Sequence, residues 1–413
     1  MRKLAQSCEY LFVMLSLLFL SGGIITLLRN SAGADGPGGG DSLQQGISMG
    51  IYVITALLLI LRRSAISKIL YAGRWFWPLF VWVLLSCAWS IDPSLSIRRV
   101  FALLGTTIFG LYLADRFSMS AFLILLGRTL LLGAILSVIF VIFIPELGTH
   151  TPDGRGSAWR GIYWHKNMLG RISVISTITF ALLSLQNSRH WWLAVLLSLG
   201  LLGMASSATG LFVLGATIFW WIILRLLRQR LQLLSLTLVL LISCGGGALI
   251  WLSENYELLL DAFGRDVTLT GRFPLWTAVV EYALRQPWIG YGYAAFWTAK
   301  DGWAPEVWSL VGWTVPHAHN GFLDIWLALG YIGVLLFVIC VSLPLTEGLR
   351  SWREGYNDVL WPLLYTFIFA LYNLTESSIV LGNSILHVLF VLSLTKLVSR
   401  QVPSHLRLAR VAA

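Results

Sequence analysis

Residues 315–330 read Val315-Pro316-His317-Ala318-His319-Asn320-Gly321-Phe322-Leu323-Asp324-Ile325-Trp326-Leu327-Ala328-Leu329-Gly330, a polar loop that runs directly into an apolar helix. The stretch brings two of the seven histidines to this junction. Ionisable groups beside a hydrocarbon layer are costly, and they usually mark a functional site. We therefore expect the rest of the chain to consist of membrane helices that support this junction and of loops that converge on it.

The composition indicates a membrane protein. The 413 residues are 57% hydrophobic and only 12% charged, and the mean hydropathy is +0.78. Soluble domains carry about 25% charged residues, so a soluble enzyme is excluded. The 20 tryptophans agree, since indole rings favour the membrane–water interface. The net charge of +10 does not indicate a nucleic-acid partner, because the basic residues lie in short loops between apolar runs.

Apolar runs recur along the chain at about the 20 residues that a helix needs to cross a hydrocarbon core. They predict an all-α polytopic membrane protein, a single integral domain over residues 1–413, with about twelve spans: 8–28, 46–61, 75–91, 97–114, 122–144, 168–185, 191–205, 208–227, 233–252, 319–343, 359–374 and 378–397. Residues 8–28 also resemble a signal peptide, with Ala32-Gly33-Ala34 as a cleavage pattern, but the apolar run is long for one and favours a retained span.

The loops predict the orientation. Twelve spans place both termini on one side, and most of the 29 basic residues then fall in short loops on that side, which the positive-inside rule assigns to the cytoplasm. The opposite side holds a glycine-rich connector (29–45), a polar loop (145–167) and one long loop (253–318). In the long loop, residues 273–284 have the periodicity of an interfacial helix, and 289–293 predict a turn. Loops this long are usually functional.

Several kinds of site are not indicated. The four cysteines form no CxxC or metal-binding spacing. The chain has no HExxH, no Walker A motif and no dinucleotide-binding glycine pattern after a strand. We therefore predict no metal and no cofactor, and we expect no nucleotide-activated donor from the cytoplasm.

The non-cytoplasmic loops bring together the groups that could carry chemistry: Arg160, His165, Lys166 and Asn167 from the polar loop, Arg265 and Arg272 from the long loop, and His317, His319 and Asn320 at its end. Guanidinium groups suit phosphate oxygens. A neutral imidazole can take a proton from a hydroxyl. A cationic basin beside a histidine is what glycan transfer from a lipid diphosphate requires, because the arginines stabilise the departing charge.

Simpler interpretations exist for each group. Arg265 and Arg272 could extend from an interfacial helix to lipid headgroups. His165 and Lys166 could be interface anchors, and His317 is better suited to orienting or capping than to reacting. A hydrogen-bonded residue at a helix start is an alternative for His319. Glu376, in the turn between the last two spans, is a further candidate for substrate binding, and a solvated turn residue is the simpler alternative. For His387, on an apolar face, a packing role is favoured.

Three motifs in this order carry a family resemblance: Arg160-Gly161-x-x-x-His165-Lys166-Asn167-x-x-Gly170 before a span, Thr270-Gly271-Arg272-x-x-x-Trp276 in the long loop, and His317-Ala318-His319-Asn320 at the start of the next span. Over roughly residues 75–397 the chain resembles the O-antigen ligase and Wzy-type polymerase family of polytopic bacterial glycosyltransferases. The Gly-x-x-x-His-Lys-Asn form, and Glu376-Ser377-Ser378 with Asn383 after it, are closest to the ExoQ-like exopolysaccharide-polymerase branch.

The resemblance implies a GT-C-like fold and metal-independent, inverting transfer of a glycan from undecaprenyl diphosphate to a hydroxyl on the periplasmic side of the inner membrane. It makes His319 the expected general base and Arg272 a ligand of the donor diphosphate. Many relatives carry a second cation in the turn after the seventh span, where this chain has Ser206-Ser207-Ala208-Thr209-Gly210. We nominate Arg160 or Lys166 to replace it; otherwise donor binding differs or this copy is impaired.

The expected function is polymerisation of undecaprenyl-diphosphate-linked repeat units, with membrane lipid as a partner and a flippase and a chain-length regulator as possible partners. A ligase that transfers finished polymer to lipid A-core uses the same kind of site and remains the alternative. A transporter or flippase is less favoured, because transporters place polar groups in broken helices at mid-membrane, whereas here the ionisable groups gather on one face. A non-catalytic scaffold is the remaining alternative.

Overall fold

The computed structural model describes residues 2–23, 42–150, 158–186, 188–229, 272–298 and 302–398. These residues are overwhelmingly helical. The helices are α1 (Arg2–Leu20), α2 (Ser42–Leu61), α3 (Arg63–Ala72), α4 (Trp77–Leu85), α5 (Pro93–Arg116), α6 (Met119–Phe143), α7 (Pro145–Gly148), α8 (Lys166–Gln186), α9 (Trp191–Met204), α10 (Ala208–Gln229), α11 (Arg272–Arg285), α12 (Ala304–Val311), α13 (Gly321–Arg353), α14 (Leu360–Tyr372) and α15 (Ile385–Leu397). Short 3₁₀ turns are Ser86–Ala88 and Asn357–Val359, and β1 (Thr149–His150) pairs antiparallel with β2 (Ala158–Trp159).

Within the described ranges, six helices are long and apolar enough to cross a membrane: α2, α5, α6, α8, α10 and α13. A bent pair formed by α3 and α4 is a seventh candidate, and Gln6–Leu20, Trp191–Met204 and Ile385–Leu397 are shorter apolar helices. The prediction of an all-α membrane protein is confirmed. The count of about twelve spans and the GT-C-like arrangement stay predictions, and the predicted span 233–252 lies outside the described residues.

Two predicted spans differ from the helices at their ends. Within 75–91 the helical residues are Trp77–Ala88, and the chain bends by 84° just before them, between α3 and α4. Pro78 lies in the first turn of α4, where a residue without an N–H starts a helix rather than continuing one. The last span was predicted from residue 378 but begins at Ile385. Before it, Val380 and Asn383 have φ of 47° and 57°, outside the helical region, and the Ser384 side chain caps the new helix.

Helix α8 lies at the centre of the structure. In the most apolar 18-residue stretch of α8, 83% of the sequence is buried, more than in the corresponding stretch of any other long apolar helix in the described ranges. It packs against α6, α9, α10 and α14. Its N-terminal end carries the predicted polar motif, so the polar groups at that end are held by a helix enclosed on most sides.

Helix α13 is broken where another part of the chain crosses it. Gly330 has φ 68° and ψ −171°, and a Cβ there would overlap the Trp288 backbone. The turn after α11 is hydrogen-bonded to α13 at this break: the Tyr291 N–H donates to the Leu327 carbonyl (3.0 Å), and the Tyr331 N–H to the Pro287 carbonyl (2.7 Å). This contact fixes α11, predicted at 273–284, beside α13. The predicted turn is also confirmed, with left-handed glycines at 290 and 292.

The two ends of helix α5 carry different polar contacts. At its N-terminal end, the Ser96 hydroxyl donates to the Tyr293 carbonyl in the turn after α11 (2.7 Å). At its C-terminal end, Arg116 forms a bidentate ion pair with Glu9 (Nε–Oε1 2.7 Å, Nη2–Oε2 2.9 Å). The Tyr112 hydroxyl also donates a hydrogen bond to Glu9. A helix of 24 residues is about 36 Å long, so the Glu9 ion pair is far from the loops that hold the predicted site.

Candidate functional site

Glu376, in the turn between α14 and α15, is the centre of an ionic cluster. Its side chain is only 13% exposed. Oε1 accepts a hydrogen bond from Asn167 Nδ2 (3.3 Å) and lies 3.8 Å from Arg272 Nη2. Oε2 lies 3.7 Å from Arg171 Nη2 and 3.6 Å from His319 Nδ1. One carboxylate therefore joins three segments that are remote in sequence.

The first segment is the start of α8. Asn167 and Arg171 are four residues apart, so they project from the same face of the helix. Arg171 is 6% exposed. Its Nη1 donates to Ser378 Oγ (3.0 Å), and its guanidinium carbon lies 5.2 Å from the centre of the Tyr372 ring. Its Nε is buried and has no hydrogen-bond partner among the described residues.

Arg171 is the functional candidate that the sequence reasoning missed. The signal was present: it is a lone arginine inside an apolar span, and such residues mark function by default. The residue before it, Gly170, packs against the charge-free turn 206–210, because a Cβ on Gly170 would come within 2.7 Å of the Ser207 Cβ. The backbone of Arg171 is therefore close to the turn in which the family resemblance led us to expect a cation, while its guanidinium lies at Glu376 and Ser378.

The second segment is α11. Arg272 is its first residue, and Trp276 follows one turn later on the same face. The Trp276 indole N–H donates to the Ala318 carbonyl, between the two histidines, at 2.9 Å. This hydrogen bond holds the start of α11 against the histidine loop, which explains why Arg272 and His319 reach the same carboxylate.

The third segment is the histidine loop. His319 has φ 50°, the left-handed region that non-glycine residues seldom adopt. Its N–H donates to His317 Nδ1 (3.2 Å), and the two rings lie 4.2 Å apart between centres. Asn320 caps α13, since its Oδ1 accepts from the N–H groups of Phe322 and Leu323. The predicted ligand Asn320 thus has a helix-capping role.

Helix α13 can begin here because Gly321 has no side chain. Its N–H donates to the carbonyls of Asn373 (2.8 Å) and Glu376 (3.1 Å), and a Cβ at this position would collide with the Asn373 side chain. The close approach places the histidine loop directly against the Glu376 turn.

The surroundings of the cluster favour an ionised carboxylate at Glu376 and neutral imidazoles at His317 and His165. Burial raises the pKa of Glu376, but the interaction with His319 and the charge of Arg171 outweigh it and lower the pKa to about 2. Burial and the neighbouring His319 lower the pKa of His317 to about 4. Burial and His150, whose ring centre is 4.8 Å away, lower the pKa of His165 to about 4. His317 and His165 are therefore neutral at pH 7.

One set of side chains in the described part of the chain has the geometry of a metal site. Ligand atoms of His317, His319 and Glu376 lie within 4.8 Å of one another. Two imidazoles and a carboxylate are a donor set that Zn²⁺ accepts. The guanidinium groups of Arg171 and Arg272 are next to the same carboxylate, and their charge opposes a cation and favours an anion.

The structure does not bring every predicted residue to the cluster. The Arg160 guanidinium donates to the carbonyls of Leu147 (2.9 Å) and Glu146 (3.1 Å), where it holds the loop after α6. His165 Nδ1 accepts from the Asn167 N–H (3.1 Å), so it supports the start of α8. Lys166 is the first residue of α8, and Arg265 lies outside the described residues. His387, for which packing was favoured, is buried with Nε2 3.0 Å from Thr107 Oγ1.

Comparisons with known proteins point to one family. Residues 193–338 match the family model described as O-antigen ligase. This range contains Arg272 and the histidine loop, whereas Arg171 and Glu376 lie outside it. The chain is 26% identical over 281 residues to the exopolysaccharide production protein ExoQ of Rhizobium meliloti (strain 1021), covering 64% of this chain. The match spans 62% of that relative's length. The resemblance to the O-antigen ligase family, with likeness to ExoQ, is therefore confirmed.

Proposed function

We propose that this chain is a membrane glycosyltransferase that polymerises undecaprenyl-diphosphate-linked oligosaccharide repeat units into an exopolysaccharide or O-antigen-like polymer. The observation that carries the proposal is the cluster around Glu376, in which a histidine and two arginines lie within 4 Å of one carboxylate at one end of a bundle of apolar helices. The likeness to an exopolysaccharide production protein supports the same substrate class.

His319 has the surroundings of a general base. Its Nδ1 faces Glu376 at 3.6 Å, so an N–H at Nδ1 directed to the carboxylate leaves the Nε2 lone pair for an acceptor hydroxyl. This is the order of groups found where a carboxylate orients a catalytic imidazole. The acceptor oxygen forms the new bond to the anomeric carbon, its proton passes to Nε2, and the ionised Glu376 stabilises the resulting imidazolium.

Arg171 and Arg272 are suited to the leaving group. As the bond from the anomeric carbon to the phosphate oxygen breaks, the electron pair stays on the diphosphate, and guanidinium groups stabilise that charge. Attack opposite the leaving group inverts the configuration at the anomeric carbon. Because these cations do the work that a divalent ion does in other transferases, we propose that the reaction is metal-independent.

An apolar cavity next to the cluster suits the lipid part of such a donor. It has a volume of about 250 Å³ and lies between α13, α14 and α15. Its lining includes Phe322 and Asn373, which adjoin the histidine loop and the Glu376 turn, and it continues along Phe337, Phe369 and Phe390. A molecule with a charged head and a hydrocarbon tail fits this arrangement of polar cluster above apolar cavity.

We further propose that the cluster faces the periplasm in the bacterial inner membrane, with both termini in the cytoplasm, as the distribution of basic loop residues predicts. The partners that we propose for this reaction are a flippase that delivers the donor and a chain-length regulator. The second candidate is a ligase that transfers finished polymer to lipid A-core, which the name of the matching family model favours.

The proposal is tested with purified protein in liposomes, a lipid-linked repeat unit as the only substrate, and polymer length on a gel as the readout. We expect His319→Ala and Arg272→Ala each to lower the rate by at least about 100-fold, as loss of a transition-state ligand does. Normal polymer from both variants would refute the mechanism. Substrate crossing the membrane without bond formation would identify a transporter, and an inactive wild type that only binds other components would identify a scaffold.

A deletion strain separates polymerase from ligase. Accumulation of single repeat units, restored to long chains by the wild-type gene, supports the polymerase. Long chains that accumulate without attachment support the ligase instead.

A further inference from the structure

Asp324, one turn into α13, is an acidic residue that the mechanism above does not use. Its carboxylate accepts hydrogen bonds from three different segments. Oδ1 accepts from the Trp297 indole N–H (2.8 Å), both oxygens lie 3.1 Å from the Ala318 N–H, and Oδ2 accepts from the Ser377 hydroxyl. Ala318 lies directly before His319, and Ser377 directly after Glu376.

The contact with Ala318 controls the backbone of the proposed base. The Ala318 N–H donates to Asp324, and the Ala318 carbonyl accepts from Trp276, so the peptide groups on both sides of the Ala318 Cα are held. The next residue, His319, is in the left-handed conformation, which costs about 1–2 kcal/mol for a residue with a Cβ. Such a conformation persists only when the surrounding structure enforces it. Asp324 supplies part of that enforcement.

The contact with Ser377 controls the partner of the base. Ser377 follows Glu376 in the turn between α14 and α15, so its hydroxyl ties that turn to the same carboxylate that holds Ala318. The distance between His319 Nδ1 and Glu376 Oε2 depends on how these two backbone segments lie relative to each other. One side chain fixes both.

We propose that Asp324 is the positioning residue that holds His319 in register with Glu376. The inference rests on the proposed function, because it gives Asp324 its purpose through the base. Asp324 has no contact with Arg171 or Arg272 among the interactions described, so its removal should act more on the chemical step than on donor affinity.

The test compares Asp324→Ala with Asp324→Asn. Alanine removes every acceptor, and a displacement of about 1 Å costs about 100-fold in rate; we expect kcat to fall by that amount, with a much smaller change in the KM for the lipid-linked donor. Asparagine keeps one oxygen for Trp297 and Ala318, and its amide can donate to Ser377; we expect it to recover kcat to within about tenfold of wild type. Ser377→Ala removes only the link to the Glu376 turn and should fall between them.

A second measurement does not depend on activity. The His319 side chain is 19% exposed, and we expect diethyl pyrocarbonate to modify it several-fold faster in Asp324→Ala than in wild type, as measured by peptide mass spectrometry. Glu9→Gln is the control, because it perturbs another hydrogen-bonded carboxylate at the far end of α5. It should change neither kcat nor the His319 modification rate.

The outcomes separate the two proposals. If His319→Ala still polymerises, the proposed base is wrong, whatever Asp324 does. If His319→Ala is inactive while Asp324→Ala keeps wild-type kcat and wild-type modification of His319, the positioning role is overturned. If Asp324→Ala does not fold, a Ser377→Ala variant with wild-type kcat and wild-type His319 reactivity overturns it equally.

Discussion

Replacement of Arg171 by methionine tests whether this buried residue supplies the cation that the turn at 206–210 lacks. Methionine is unbranched and apolar, so it can occupy much of the same space. Arg171 lies 3.7 Å from Glu376 and has a buried Nε without a partner among the described residues. Removing one transition-state charge ligand typically costs about 3–4 kcal/mol, which is about 100- to 1,000-fold in rate. We expect a loss of this size in kcat.

The stability cost should be smaller than the catalytic cost. Breaking a buried ion pair completely costs about 3–5 kcal/mol, because a charge is left unpaired. Here Glu376 keeps Arg272 at 3.8 Å and His319 at 3.6 Å, so its charge is still compensated. Arg171→Lys keeps the charge but loses the planar fork of donors, and we expect an intermediate rate.

The assay is polymer formation from a lipid-linked repeat unit in liposomes, with thermal unfolding of each variant measured in parallel. Arg116→Met is the matched control. It removes an arginine that is paired with Glu9 at distances of 2.7 and 2.9 Å, at the end of α5 away from the cluster. The control should lose stability without losing specific activity. An Arg171→Met variant whose rate is within threefold of wild type would refute the assignment of Arg171 to the leaving group.

Four further outcomes follow from the same geometry. Glu376→Gln should lower kcat by at least about 100-fold, because loss of the orienting carboxylate disables a paired imidazole; a wild-type rate in the liposome assay would exclude that role. Because the pKa of Glu376 is lowered to about 2, the ionised carboxylate stabilises the folded protein. This contribution to stability is fully present above the ordinary glutamate pKa of 4.5 and is lost as the pH falls from there towards about 2. The Tm difference between wild type and Glu376→Gln should therefore be constant from about pH 5 to pH 8. If that difference disappeared near pH 5, the lowered pKa of Glu376 would be contradicted. Gly321→Ala should abolish polymer and lower the Tm, because its Cβ would collide with Asn373; normal values of both would show that α13 can begin elsewhere. EDTA should leave the rate unchanged, and a loss restored by added Zn²⁺ would instead assign His317, His319 and Glu376 to a metal.

The sequence by itself determined the class of the protein and the types of group that meet in the site. Apolar runs longer than a membrane core is thick exclude a soluble fold, and a histidine pair at a helix start is an unusual place for ionisable groups. The sequence was sufficient to predict the helix 273–284, the turn at 289–293 and the family motifs, because each depends on residues close together in the chain.

Only the tertiary structure decided which groups share the site. Arg171 lies 205 residues before Glu376 in the chain, and a pattern along one segment carries no information about a pairing at that separation. The structure also separated Arg160, which holds backbone carbonyls, from Arg272, which reaches the carboxylate. How deeply a side chain is buried and which groups it points towards are properties of the packed helices, and these properties distinguish one arginine from another. For the same reason the role proposed for Asp324 emerged only when α13, the histidine loop and the Glu376 turn were seen to meet at one side chain.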